Sequence, residues 1–218
     1  IYVVGKTITQ KIGTEAARHN DGRFNVQHNL EQSNAAFKFL YLTKYYPHKN
    51  IESACEAMLV ARQKGLDVCL ILTLNASEGD DCRRLLERIQ NGAFDGAVLN
   101  IGNVDLPEIE NVYNSVFGVF MPTLLESYSA TFVEAMAFRK ILLVSDRGFA
   151  REICHNAAIY FDPFSTSSMV GAIQKSIDDE NLLKNKTALG FKLFSEKQQS
   201  WSDIAATYTD ILSQKVKT

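Results

Sequence analysis

The chain has 218 residues, with 23 lysines and arginines against 25 aspartates and glutamates, a formal net charge of −2 and 46% hydrophobic residues. This ordinary globular balance argues against a nucleic-acid-binding protein or a polybasic membrane anchor, and no apolar run approaches the ~18 residues of a membrane-spanning helix. The four cysteines, Cys55, Cys69, Cys82 and Cys154, form no C-x-x-C pair; that usage suits reduced thiols in the cytoplasm better than a disulfide framework or a zinc site.

Ile1–Val4 is a short β-like run without an initiator Met or signal peptide, so the chain reads as an excised fragment. Residues 5–35 are polar, with a turn signal at Asn20-Asp21-Gly22, and carry no assignable role. From Phe37 the rhythm becomes regular. Phe37–Thr43 reads as a strand. Asn50–Lys64 reads as a helix with Ile51, Ala54, Cys55, Met58 and Leu59 on one face, ended by Gly65. A strand at Val68–Leu74, a helix at Asp81–Gln90, a strand at Ala97–Ile101 and a short helix at Leu106–Ser115 follow, the last with Pro107 in its first turn. The apolar run Val116–Met121 ends at Pro122, a helix starts near Ser129 to Thr131, and Ile141–Val144 is the next strand. Thr131 and Glu134 have the spacing of a capping box. Arg147–Cys154 is a short helix and Ala158–Phe161 the last strand. Ser165 or Thr166 caps a helix over Met169–Ile177, and helices at Leu182–Phe194 and Trp201–Leu212 close the chain. Strands alternating with helices imply a parallel sheet covered on both faces.

The segment Pro122–Asp146 holds two glutamates, Glu126 and Glu134, separated by seven residues. Glu126 falls in a loop beyond the carboxyl end of a strand, where open parallel sheets bind ligands. Glu134 falls about one turn inside the following helix. Between them, the unsatisfied amides of the first helical turn favour an anion such as phosphate. Carboxylates on either side of a bound diphosphate could grip hydroxyls at both its ends, the layout of a nucleotide sugar. A second constellation, Thr43 to Asn50, follows the Phe37 strand on the same edge and contains Lys44 and Lys49 flanking Pro47.

These residues carry a resemblance. The two glutamates at that spacing, followed by Ala135-Met136-Ala137, a strand and Ser145-Asp146, resemble the donor-binding half of retaining GT-B glycosyltransferases of the group 1 (family 4) type. Pro122, Glu152 and Asp162-Pro163 agree with it. The chain departs where the family has glycine: Ser127 and Ser129 flank Tyr128, and Arg139 stands at the usual helix-ending glycine. Ile141 replaces a proline. Aligned on Pro47, Lys44 takes the place of the family's diphosphate-binding Arg and Lys49 that of its Lys. Lysine supplies a point charge rather than a bidentate fork. After the second strand Thr73-Leu74-Asn75 replaces a glycine-rich turn, and after the third Gly102 and Asn103 stand where a glycine closes over the base.

The resemblance covers roughly residues 36 to 212 and implies a Rossmann-like α/β domain over 36–218, one half of a GT-B fold, preceded by a segment 1–35 of uncertain role. It implies a cytoplasmic hexosyltransferase of polysaccharide biosynthesis using a UDP- or GDP-linked sugar, with no cofactor and no metal. Glu126 would be the catalytic residue facing the transferred sugar. Lys44, Lys49, Ser127, Tyr128, Ser129, Ala130, Thr131, Glu134 and Asn103 would bind the donor, with Glu134 on the ribose. The partners implied are the nucleotide sugar and an N-terminal acceptor-binding domain, which would provide at most peripheral membrane contact; no nucleic acid is expected. Two alternatives compete: half of a nucleotide-sugar epimerase of the same architecture, and a non-catalytic α/β module whose glycine losses mark a degenerate site.

Overall fold

Six strands make one sheet in the computed structural model, which describes residues 26–196 together with 205, 206 and 209. They are β1 (Phe37–Tyr41), β2 (Val68–Leu72), β3 (Val98–Asn100), β4 (Gly118–Met121), β5 (Ile141–Ser145) and β6 (Ala158–Phe161). Every neighbouring pair is parallel, in the order β3-β2-β1-β4-β5-β6. The fold class is therefore α/β and Rossmann-like, as half of a GT-B fold requires.

The helices are α1 (Val26–Glu31), α2 (Ile51–Gln63), α3 (Asp80–Gln90), α4 (Ile109–Asn114), α5 (Ala130–Ala137), α6 (Gly148–Cys154), α7 (Thr166–Asp178) and α8 (Glu180–Glu196). Strands β2, β4 and β5 are buried at every position. Their unbroken apolar sequences, VCLIL, GVFM and ILLVS, follow from being covered on both faces. Strand β4 enters the sheet through Gly118, opposite Ile141. A Cβ there would lie 2.8 Å from the Ile141 carbonyl oxygen and collide with its Cγ2.

The chain winds from β1 outward to β3, then crosses to β4 on the other side of β1 and winds outward to β6. The order reverses between β1 and β4, so the loops leaving those two strands at their carboxyl ends diverge around a crevice. The expected site residues fall on those loops and on the helix that follows β4, apart from Asn103, which lies beyond β3.

Most expected elements are present with trimmed ends: Val68–Leu72 rather than Val68–Leu74, and Gly118–Met121 rather than Val116–Met121. Ser165 caps α7, its hydroxyl accepting from the Ser168 amide at 3.2 Å. The Thr131–Glu134 capping box is not formed. The N-cap of α5 is Ser129, with no side-chain cap bond, and the Glu134 side chain is engaged elsewhere. The Ile1–Val4 run and the Asn20-Asp21-Gly22 turn lie outside the described residues. So does the expected Trp201–Leu212 helix, except for 205, 206 and 209, which are helical. No described helix is long and apolar enough to cross a membrane. All four cysteines are buried.

Candidate functional site

The loops after β1 and β4 are tied together by side chains. Tyr41, the last residue of β1, donates its hydroxyl to the Lys49 carbonyl at 2.6 Å. The His48 carbonyl accepts from the Leu124 amide at 2.7 Å and from the Thr123 hydroxyl at 3.2 Å. Asn50 holds left-handed backbone (φ 54°), a region that Asn tolerates better than most residues. Its amide nitrogen donates to the carbonyls of Pro122 (3.2 Å) and Pro163 (3.0 Å), while its oxygen accepts from Ser53 at 2.6 Å. One side chain thus joins the loops leaving β1, β4 and β6. Farther along the edge, the Thr73 hydroxyl accepts from the Thr43 amide and donates to the Thr43 carbonyl, and the Asn100 amide bonds both N–H and C=O of Leu74.

These ties bring the Lys49 ammonium within 2.6 Å of Glu126 Oε1, with the two side chains 17% and 10% exposed. The ion pair joins a residue expected at the diphosphate to one expected at the sugar, so cation and carboxylate occupy a single point of the edge. The charge of Glu126 also raises the Tyr41 hydroxyl pKa, after the larger effect of burial.

Glu134 is held differently. Tyr113, fully buried on α4, donates its hydroxyl to Glu134 Oε2 at 2.9 Å. Phe138 stacks on the Tyr113 ring at 4.8 Å. Burial pushes the Glu134 carboxyl above its ordinary range, opposed by the Tyr113 hydrogen bond, which favours the ionised form. The Tyr113 hydroxyl is itself raised well above its usual value, by burial and then by the Glu134 charge.

The remaining expected residues are less constrained. Lys44 is exposed. Ser127 and Tyr128 are exposed in the loop, and Ser129 is buried at the N-cap. Ala130 and Thr131 form the uncapped first turn of α5, and Asn103 is exposed beyond β3. Glu152 is exposed on α6. Arg139, where the family has glycine, adopts φ 54° with its guanidinium 3.5 Å from the Phe191 ring centroid. The left-handed turn survives the loss of the glycine.

Sequence reasoning missed Asn50, Tyr41, Asn100 and Tyr113 as supporting residues. A buried tyrosine needs a partner for its hydroxyl, which is a usable signal for Tyr113 on the apolar face of its helix. Apart from Tyr128, the large exposed hydrophobic side chains were also unforeseen. Tyr46, Leu125, Tyr128 and Phe164 stand on loops that leave the carboxyl ends of strands, and Leu106 opens a short 3-10 turn beyond β3.

Comparison with known proteins agrees with this fold. The chain is 24% identical over 136 residues to the O-antigen chain mannosyltransferase RfbU of Salmonella typhimurium, an alignment covering 62% of this chain and 37% of that protein. Among solved structures, a trehalose-phosphate synthase (UDP-forming) from Burkholderia vietnamiensis superposes with a TM-score of 0.75 at 10% identity, over 97% of this chain and 51% of that one. Sucrose-phosphate synthase from Thermosynechococcus elongatus gives 0.71 at 18% identity, over 88% and 49%. The C-terminal domain of a group 1 glycosyl transferase from Francisella tularensis gives 0.65 at 18% identity, over 82% and 93%. The chain thus spans about a third of its curated relative and about half of the two synthases. The description "Glycosyl transferases group 1" matches residues 25–190, most of the chain and all six strands, and the chain belongs to that family.

Proposed function

We propose that these residues are the donor-binding half of a retaining glycosyltransferase that moves a sugar from a UDP- or GDP-linked donor to a glycan, lipid or other acceptor. The observation that carries this reading is the Lys49–Glu126 pair beside the uncapped start of α5 at the switch point of the sheet. A cation and two uncapped helical amides suit a diphosphate. Carboxylates on either side, Glu126 and Glu134, suit the sugar and ribose hydroxyls. The leaving nucleoside diphosphate gains charge as the glycosidic bond breaks, and Lys49, with Lys44 moving in from solvent, stabilises that charge. Ser127, Tyr128 and Asn103 border the donor without partners fixed in advance. The exposed Tyr46, Leu125, Tyr128 and Phe164 on the same edge suit a facing wall, which the acceptor-binding part of the whole enzyme would supply. The mannosyltransferase relative puts mannosyl donors first in a screen.

Calorimetry of the chain with UDP, GDP and inorganic phosphate is the direct test. The expected result is saturable binding of a nucleoside diphosphate, weakened by about 1–3 kcal/mol in Lys49→Ala, the usual range for a charge-assisted contact. Absence of any nucleoside-diphosphate binding at millimolar concentration overturns the assignment. Incubation with the best-binding donor and an acceptor extract should give no glycosylated product, because a missing acceptor wall forfeits positioning worth ~7–11 kcal/mol of barrier. Robust transfer by these residues alone would show that the site does not need a second wall.

A further inference from the structure

We infer that Tyr113 is a positioning residue for nucleotide recognition, holding one oxygen of Glu134 so that the other is presented to the ribose hydroxyls. This rests on the assignment of Glu134 to the ribose and deepens it.

The Tyr113 side chain is fully buried, and its hydroxyl makes a hydrogen bond to Glu134 Oε2 at 2.9 Å. Burying a phenolic hydroxyl for packing alone is unfavourable, since phenylalanine would fill the same space without a polar atom to desolvate. The ring cannot swing away, because Phe138, one helical turn beyond Glu134, stacks on it with an interplanar angle of 12°. Tyr113, Glu134 and Phe138 therefore form one packed unit between α4 and α5.

The free side of the carboxylate is the informative part. No described group bonds Glu134 Oε1, and no buried side-chain oxygen in the described residues lacks a partner. Oε1 consequently opens to solvent, on a half-buried side chain whose other oxygen is pinned. A carboxylate accepts up to about four hydrogen bonds, of which Tyr113 takes one. A vicinal diol offers two donors, matched to a carboxylate whose torsions are already fixed. Pinning removes rotamer freedom before the ligand arrives, so less affinity is lost in ordering the side chain. The same hydrogen bond favours the ionised acceptor against the burial that disfavours it.

The test measures the affinity of the full chain for UDP and GDP, each against its 2′-deoxy counterpart. Wild type should prefer the ribonucleotide. Tyr113→Phe, which keeps the ring and its stack on Phe138, should lose about tenfold for the ribonucleotide and little for the deoxynucleotide, in keeping with loss of a hydrogen bond to a charged group. A packing defect would instead weaken both nucleotides equally. Adding Tyr113→Phe to Glu134→Gln should cost far less than it does alone, because the tyrosine acts through the glutamate. Wild-type preference that survives intact in Tyr113→Phe overturns this inference and leaves the ribose role of Glu134 standing. Equal wild-type affinity for the ribo and deoxy forms overturns that role, and the role of Tyr113 with it.

Discussion

Glu126 and Glu134 are the same residue type, eight positions apart, yet they are held by opposite means. Glu126 sits in a loop and is fixed by a cation, Lys49, delivered from another strand's loop. Glu134 sits in a helix and is fixed by a neutral hydroxyl from a neighbouring helix. The first arrangement is conditional: a phosphate that draws on Lys49 competes with Glu126 and changes what the carboxylate can do. The second is indifferent to phosphate. In the proposed site, one end of the ligand would be bound firmly and the other left to react, and the two arrangements suit those two demands.

Breaking the charged half should have the largest effect. Lys49→Ala leaves Glu126, only 10% exposed, without its counter-ion. Stability should fall by about 2–4 kcal/mol, toward the range for an orphaned buried charge. Adding Glu126→Gln should restore most of the loss in urea titrations; a double variant as unstable as Lys49→Ala would mean that the pair contributes nothing through charge. Gly118→Ala strikes the start of β4, the strand that leads to both carboxylates. Its Cβ cannot fit against Ile141 without moving β4 or β5, for an overpacking cost of about 1–3 kcal/mol in thermal or chemical unfolding. An unchanged melting temperature would show that the strands yield freely there.

The comparison sharpens with bare nucleotide. Glu134→Gln should weaken nucleoside-diphosphate binding by about 1 kcal/mol, while Glu126→Gln spares it and reduces transfer in the whole enzyme. Equal losses in both variants would contradict the division of roles. The smallest effect is on stability against pH. Burial raises the Glu134 carboxyl in the folded state. Its ionised form therefore costs stability at neutral pH, and that cost disappears below the ordinary glutamate value of about 4.3. Glu134→Gln should raise the melting temperature at pH 7 and lose that advantage as the pH falls through the carboxylate range. An advantage that grew on acidification would reverse the sign.

Alternation of strands and helices, the β4–α5–β5 unit and the placement of the two glutamates on its loop and helix were legible because period and spacing are local properties. The capping box was misread for a physical reason. Thr131 and Glu134 have the right separation, but α5 begins at Ala130, and Tyr113 offers Glu134 a buried partner that no local pattern reveals. The Lys49–Glu126 pair spans 77 residues and depends on β1 and β4 being neighbours. Loss of the helix-ending glycine suggested damage. Arg139 instead accepts the left-handed conformation, at a cost of order 1 kcal/mol, and lays its guanidinium on Phe191.

Asn50 has a consequence for the order in which the protein is completed. Its two amide bonds reach 72 residues to Pro122 and 113 residues to Pro163, joining the two halves of the sheet. Contacts so distant in sequence carry large loop-closure entropies and form late. In refolding, the regular hydrogen bonds of α2 and α3 should therefore gain protection from exchange before the edge that holds Lys49 and Glu126 is assembled. A nascent chain released short of residue 163 would keep the Pro122 bond and lack the one that ties in the β6 loop. On the proposed assignment, competence to hold a nucleotide would accordingly be acquired last, and its binding would monitor maturation of the entire sheet rather than of one loop.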